Sequence, residues 1–121
     1  HGYTGLRFED TVSRFSPNAK HIAIGTKSGR IDLLRLNGDV ISRVCDFDRH
    51  TSAVKSISFT PSGAHMVSCA DFTVRLWSIN GTLSGHIGVY FSPVNVAVCR
   101  DERSVIAGDT TSKLQTLTFN A

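Results

Sequence analysis

Placing Phe15-Ser16-Pro17 over Phe59-Thr60-Pro61 exposes an internal repeat with an offset of 44 residues. His21 then falls on His65, Ile22 on Met66 and Ala23 on Val67. After a one-residue deletion, Ile31 falls on Val74, Leu33 on Leu76 and Leu34 on Trp77. The turn Leu36-Asn37-Gly38 likewise falls on Ile79-Asn80-Gly81. A fainter third copy aligns Ile24-Gly25 with Ala107-Gly108 and Leu34 with Leu117, which lies 40 residues beyond Trp77. A period of 40–44 residues gives a 121-residue chain just under three copies of one supersecondary unit. Such a unit cannot bury its apolar face alone, so the fold must come from stacking the copies.

Each copy reads as short strands. The runs 21–25, 31–36 and 54–59 are rich in Ile, Val, Leu and Phe and alternate in part. Turn residues separate them: Ser16-Pro17-Asn18, Lys27-Ser28-Gly29, Pro61-Ser62-Gly63. Asn37-Gly38 and Asn80-Gly81 are hairpin signals, because both central residues of such a turn must tolerate positive φ. Four short antiparallel strands per copy, at a period near 40, give an all-β chain with the repeat length of a propeller blade. In the third copy the strands are expected at 94–99, 104–108 and 113–119.

Composition narrows the function classes. Hydrophobic residues at 40% and charged residues at 19% exclude a disordered tail. The apolar stretches run only a few residues, so no transmembrane helix or secretory h-region is expected among them. The net charge of +3 comes from thirteen Lys and Arg scattered singly, whereas a nucleic-acid binder concentrates them in a patch. Three cysteines, Cys45, Cys69 and Cys99, follow no CxxC spacing. They read as small buried hydrophobes in a reducing, intracellular compartment, cytoplasmic or nuclear. No cofactor, metal cluster or Walker-type glycine loop is indicated. The chain opens on His1 rather than Met and is expected to be a piece of a longer protein.

The second copy carries the specific signal. From His50 it runs through Val54, Ile57 and Phe59-Thr60-Pro61, then Ser68, Asp71, Thr73 and Val74-Arg75-Leu76-Trp77-Ser78. This closely resembles a WD40 repeat, and the likeness extends over nearly the whole chain with its specificity concentrated in 50–78. The resemblance implies a structural tetrad of His50, Ser68, Asp71 and Trp77 that joins the strands and loops of one blade. Ser78 stands where the family usually has Asp. The chemistry is sensible on its own terms, since a buried indole N–H needs an acceptor and a hydroxyl can accept it and donate onward. A His, Ser and Asp together also invite a catalytic triad, but that requires an exposed nucleophile in a cleft, so no enzyme is expected.

Repeat one carries Phe8, Ile24, Lys27 and Leu34 at the tetrad positions, which fits a blade held by apolar packing. In repeat three Leu117 replaces Trp, and His86 cannot share a register with Phe91-Ser92-Pro93. The expected division is 1–8 for the end of a preceding blade, 9–48 for repeat 1, 49–84 for repeat 2 and 85–121 for repeat 3. The strand Leu6-Arg7-Phe8 completes that preceding blade. The ending at 105–109 and 114–117 is similar to the last blade of WD40 tails in signalling proteins of the apoptosome and NACHT class.

Propellers close with about four to eight blades, so the expected fold is an incomplete ring, an open arc of four-stranded antiparallel blades. The implied function is a non-enzymatic scaffold for proteins or peptides, within a larger propeller completed by blades of a longer chain. The alternative is a propeller module that binds nucleic acid through a basic top face. The top rim, made of b–c turns and d–a loops, would carry Lys27, Ser28, Arg30, Arg49, Thr51, Phe72 and Thr111. Phe72 is singled out because such a turn usually holds a small or polar residue, and an exposed aromatic there is a partner anchor. No membrane contact is expected.

Overall fold

The computed structural model describes residues 12–38, 40–46, 50, 52–70, 72–89, 91–111 and 113–119. Leu6-Arg7-Phe8, Arg49, Thr51 and Asp71 lie outside them. The strands are β1 (Val12–Phe15), β2 (His21–Gly25), β3 (Ile31–Asn37), β4 (Val40–Asp46), β5 (Ser56–Phe59), β6 (His65–Ala70), β7 (Thr73–Ser78), β8 (Leu83–Gly88), β9 (Asn95–Val98), β10 (Ser104–Gly108) and β11 (Leu114–Thr118). They form three antiparallel sheets in chain order: β1-β2-β3-β4, β5-β6-β7-β8 and β9-β10-β11. The described residues contain no helix.

The repeat is visible in the backbone itself. Ile22 pairs with Leu34 just as Met66 pairs with Trp77. The third and fourth strands slip register between Leu33 and Leu34 in one sheet and between Leu76 and Trp77 in the next. The first hairpin of every sheet turns through a left-handed residue at the same place: Ala19, Gly63 and Glu102. In two of these turns a hydroxyl fixes the exit, Ser16 Oγ accepting from His21 N–H and Thr60 Oγ1 from His65 N–H. In the third, Asp101 accepts from the N–H groups of Ser104 and Arg103, which hold its carboxyl below the ordinary value.

The sheets pack face to face in sequence. Ala23, Ile31 and Leu33 of the first meet Ile57, Phe59, Met66 and Trp77 of the second. Val67, Cys69 and Val74 on the other face of the second meet Val96, Val105, Ala107 and Leu117 of the third. Period-two alternation thus gives the middle sheet two buried faces. Gly25 is required at the first junction, because a Cβ there would lie 2.6 Å from Val54 Cγ1.

Strand β8 pairs with β7, so the second sheet extends across the 84/85 division between repeats 2 and 3. His86 accordingly sits in β8 opposite Arg75, while Phe91-Ser92-Pro93 leads into β9. The strands of the third copy fall at Asn95–Val98, Ser104–Gly108 and Leu114–Thr118, inside the expected runs.

The two outer faces of the stack differ from the inner ones. Phe59 is 8% exposed, but Phe15, at the same register position in the first sheet, is 58% exposed. Ile31 is fully buried, whereas its third-sheet counterpart Leu114 is 74% exposed. Exposed faces of this kind drive association. The isolated 121-residue chain is therefore expected to self-associate or to unfold without cooperativity. Light scattering and urea titration check this, and a stable monomer with a sharp transition would contradict it.

Candidate functional site

The second sheet buries a polar chain at its centre. Trp77 lies in β7 and points into the junction with the first sheet, where it is fully buried. Its Nε1–H donates to Ser68 Oγ at 2.8 Å, and His50 Nε2 lies 2.7 Å from the same oxygen. Since Oγ accepts the indole proton, its own hydroxyl proton is available to His50. The imidazole stands edge-on to the indole at 6.5 Å and 74°. The Arg75 guanidinium sits 5.9 Å from the indole centroid, a cation–π contact. Ser68 is fully buried, so its hydroxyl cannot meet a substrate as a nucleophile would.

His50 also carries the chain between sheets. Its N–H donates to Gly29 O at 2.9 Å, and Val54 N–H donates to Thr26 O at 3.1 Å. The segment before β5 is thereby laid on the β2–β3 turn of the first sheet. Gly29 has φ of 91°, and a Cβ there would collide with the His50 carbonyl, so only glycine serves. Ile24 and Leu34 occupy the places of Ser68 and Trp77 in the first sheet and are buried and apolar.

The ends of β2, β6 and β10 and the starts of β1, β5 and β9 share one rim, as the pairs Val12–Gly25, Ser56–Cys69 and Asn95–Gly108 show. Lys27, Ser28 and Thr111 are exposed there, and Arg30 is half-buried with Nη2 3.4 Å from Asp32 Oδ2. Phe72 is 55% exposed with φ of 63°. The cause lies in the sequence. The link between Cys69 and Val74 is one residue shorter than that between Gly25 and Ile31, so Ala70 pairs with Thr73 across a two-residue turn. Such turns demand positive φ, and Asn or Gly usually meets the demand. A Phe there carries about 1–2 kcal/mol of strain. Its carbonyl is held by Val89 N–H at 2.8 Å while its ring points outward.

Among the described residues no three His, Cys, Asp or Glu are placed to hold a metal, and no helix could cross a membrane. Cys69 and Cys99 are free thiols. Burial pushes Cys69 up to about 12, and its Sγ lies 3.6 Å from Pro93 O.

Residues 41–78 match the family model described as WD domain, G-beta repeat. Over that stretch the chain is similar to a WD40 repeat. The chain is similar to a 66 kDa stress protein of Physarum polycephalum, at 28% identity over 54% of this chain and 11% of that protein. It is also similar to DDB1- and CUL4-associated factor 13 of Dictyostelium discoideum, at 31% identity over 58% of this chain and 16% of that protein. The chain thus spans a sixth or less of either curated relative. Its structure resembles the β-propeller domain of Cps50 (Swd1) from Myceliophteria thermophila, with TM-score 0.85 and 14% identity over 96% of this chain and 37% of that one. Hydrazine synthase of Kuenenia stuttgartiensis gives TM-score 0.75 and 14% identity over 86% of this chain and 31% of that one. At such identity the likeness is one of fold. The three sheets are consecutive blades of a β-propeller in an open arc, and the matched residues run from β4 of the first blade through β5, β6 and β7 of the second.

Trp77→Phe removes the indole donor and leaves a void, so it should destabilise the full-length protein by about 1–3 kcal/mol. Ser68→Ala should cost more, because it removes the oxygen that both Trp77 and His50 use. Urea denaturation checks both, and an unchanged midpoint would refute the role of the chain of bonds. Cys69 should resist thiol reagents at pH 8 until the protein unfolds, since the thiolate is the reactive form. The unfolded thiol ionises near its ordinary 9.0, so this group leaves stability unchanged below that pH. It lowers stability as pH rises from about 9 toward 12.

Proposed function

We propose that the chain is part of a non-enzymatic protein-interaction scaffold whose partner docks on the rim formed by the b–c turns and d–a loops. Phe72 carries the proposal. Backbone strain at an exposed aromatic persists only where the surroundings impose it, and such positions cluster at functional sites. Aromatic side chains are also the commonest interface anchors. Lys27 and Arg30, on the same rim, supply polar periphery to this anchor, and the sequence assigns Arg49 and Thr51, outside the described residues, the same part. The bonded chain of His50, Ser68 and Trp77 keeps the blade rigid, and Asp71, outside the described residues, is the fourth member that the WD40 resemblance assigns to it. The Dictyostelium relative is named for association with other proteins, which supports the same class of role. The free thiols fit an intracellular setting. Further blades of a longer protein complete the ring, and the segment 105–117 points to a host of the apoptosome and NACHT class.

Phe72→Gly separates anchor from packing. Glycine adopts the turn without strain, so the substitution should stabilise the full-length protein by about 1 kcal/mol. It should also abolish capture of the proteins that wild type retains from a lysate of the source cells at both low and high salt. Replacing Lys27, Arg30 and Arg49 together by Gln should weaken capture only modestly. If Phe72→Gly destabilises and leaves capture intact, the ring is merely packing. If instead the triple variant alone loses its cargo, the cargo is nucleic acid and binding falls steeply with salt, the rim is a nucleic-acid face.

A further inference from the structure

The inner strands β1, β5 and β9 lie side by side, and a groove crosses them at the rim end. Ser13, Arg14, Lys55, Ser56, Ile57 and Asn95 line it. Its chemistry is one-sided. Arg14 and Lys55 are exposed cations, and among the described residues no carboxylate lines the groove. Arg14 is held in place, because its Nε donates to Ile57 O of the next blade at 3.1 Å. That bond uses one of five guanidinium donors and leaves both Nη groups for another partner. Asn95 Oδ1 accepts from Ser56 Oγ at 3.1 Å, so the amide nitrogen is the end left to donate. The groove therefore offers a fork of N–H groups, an ammonium, an amide donor and the Ser13 hydroxyl, with apolar Ile57 among them.

We infer that this groove is a docking site for an extended acidic peptide segment, whose side-chain carboxylates pair with Arg14 and Lys55. The inference rests on the reading of the chain as a protein-binding scaffold and assigns the chemistry of one partner segment. A guanidinium fork matches a carboxylate in two parallel bonds. Asn95 and Ser13 can serve the peptide carbonyls between the acids. Nucleic acid fits the groove less well. Two cations release few counterions, and among the described residues no aromatic ring lines the groove to offer a base a stacking platform.

The test uses the full-length protein and a fluorescein-labelled ten-residue peptide rich in Asp and Glu, beside its Asn and Gln counterpart. Anisotropy titration at two salt concentrations should show at least about tenfold tighter binding of the acidic peptide, with the advantage shrinking as salt rises. Lys55→Gln should remove most of that advantage without disturbing the fold, since its side chain makes no hydrogen bond among the described residues. Arg14→Lys should lose part of it and Arg14→Gln more, because lysine keeps the charge and not the fork. Phe72→Gly should leave it unchanged within twofold. Equal affinity for both peptides, or an unaltered preference in Lys55→Gln, overturns the assignment. A ten-nucleotide single strand that binds tighter than the acidic peptide overturns it in favour of nucleic acid. If the acidic preference is absent while Phe72→Gly still sheds its protein partners, the groove assignment falls and the scaffold stands. If Phe72→Gly sheds none, the scaffold reading falls as well.

Discussion

The arc depends on burying one indole completely. Trp77 is the largest side chain with no exposure, and it sits where the first blade meets the second. A buried N–H without an acceptor would cost about 1–3 kcal/mol, so the site needs an oxygen at the right place. Ser68 supplies it from the neighbouring strand, in register through the pair Met66–Trp77. The same oxygen meets His50, and the His50 backbone is tied to the preceding blade through Gly29. One polar chain therefore links strand, strand, loop and neighbouring blade. The first blade shows the apolar solution to the same geometry, with Leu34 and Ile24 in those places and no polar group to satisfy.

What the sequence made legible follows from this. Offset matching found the repeat because each copy must reproduce the same pairing, down to the slip beside Leu34 and Trp77. His50, Ser68 and Trp77 were singled out through the resemblance of 50–78 to a WD40 repeat, and the bonds among the three are seen only in the structure. The third copy was fainter because its counterpart of Trp77 is Leu117, and apolar positions tolerate exchange. The division at 84/85 was set by sequence similarity, while strand pairing follows the sheet edge. Nothing in the composition of 83–88 marks which neighbour Leu83–Gly88 joins, since its burial is slight on both faces. The groove was missed altogether. Arg14, Lys55 and Asn95 are 40 or so residues apart in sequence and look like scattered charge and polarity until the strands stand side by side.

Phe72 shows how a deletion in sequence becomes a surface feature. A longer link, as between Gly25 and Ile31, can place its left-handed residue at a glycine. Removing one residue tightens the turn and puts that demand on position 72. The chain could meet it with Asn or Gly and carries Phe instead. Local propensity and observed conformation disagree there, and consistent sequences concentrate such disagreements at sites of function or strain.

The strain is tolerable because it is placed where the fold does not depend on it. Two buried faces and the Trp77–Ser68–His50 chain fix the middle blade, while Phe72 itself is tied to it through the neighbouring Ala70–Thr73 pair and the bond from Val89 N–H. A loss of about 1–2 kcal/mol at the turn is small against the packing of two blade junctions. A rigid blade in turn keeps the exposed ring of Phe72 in one backbone conformation on the rim. A flexible loop carrying the same residue would lose part of its affinity to the entropy of ordering itself.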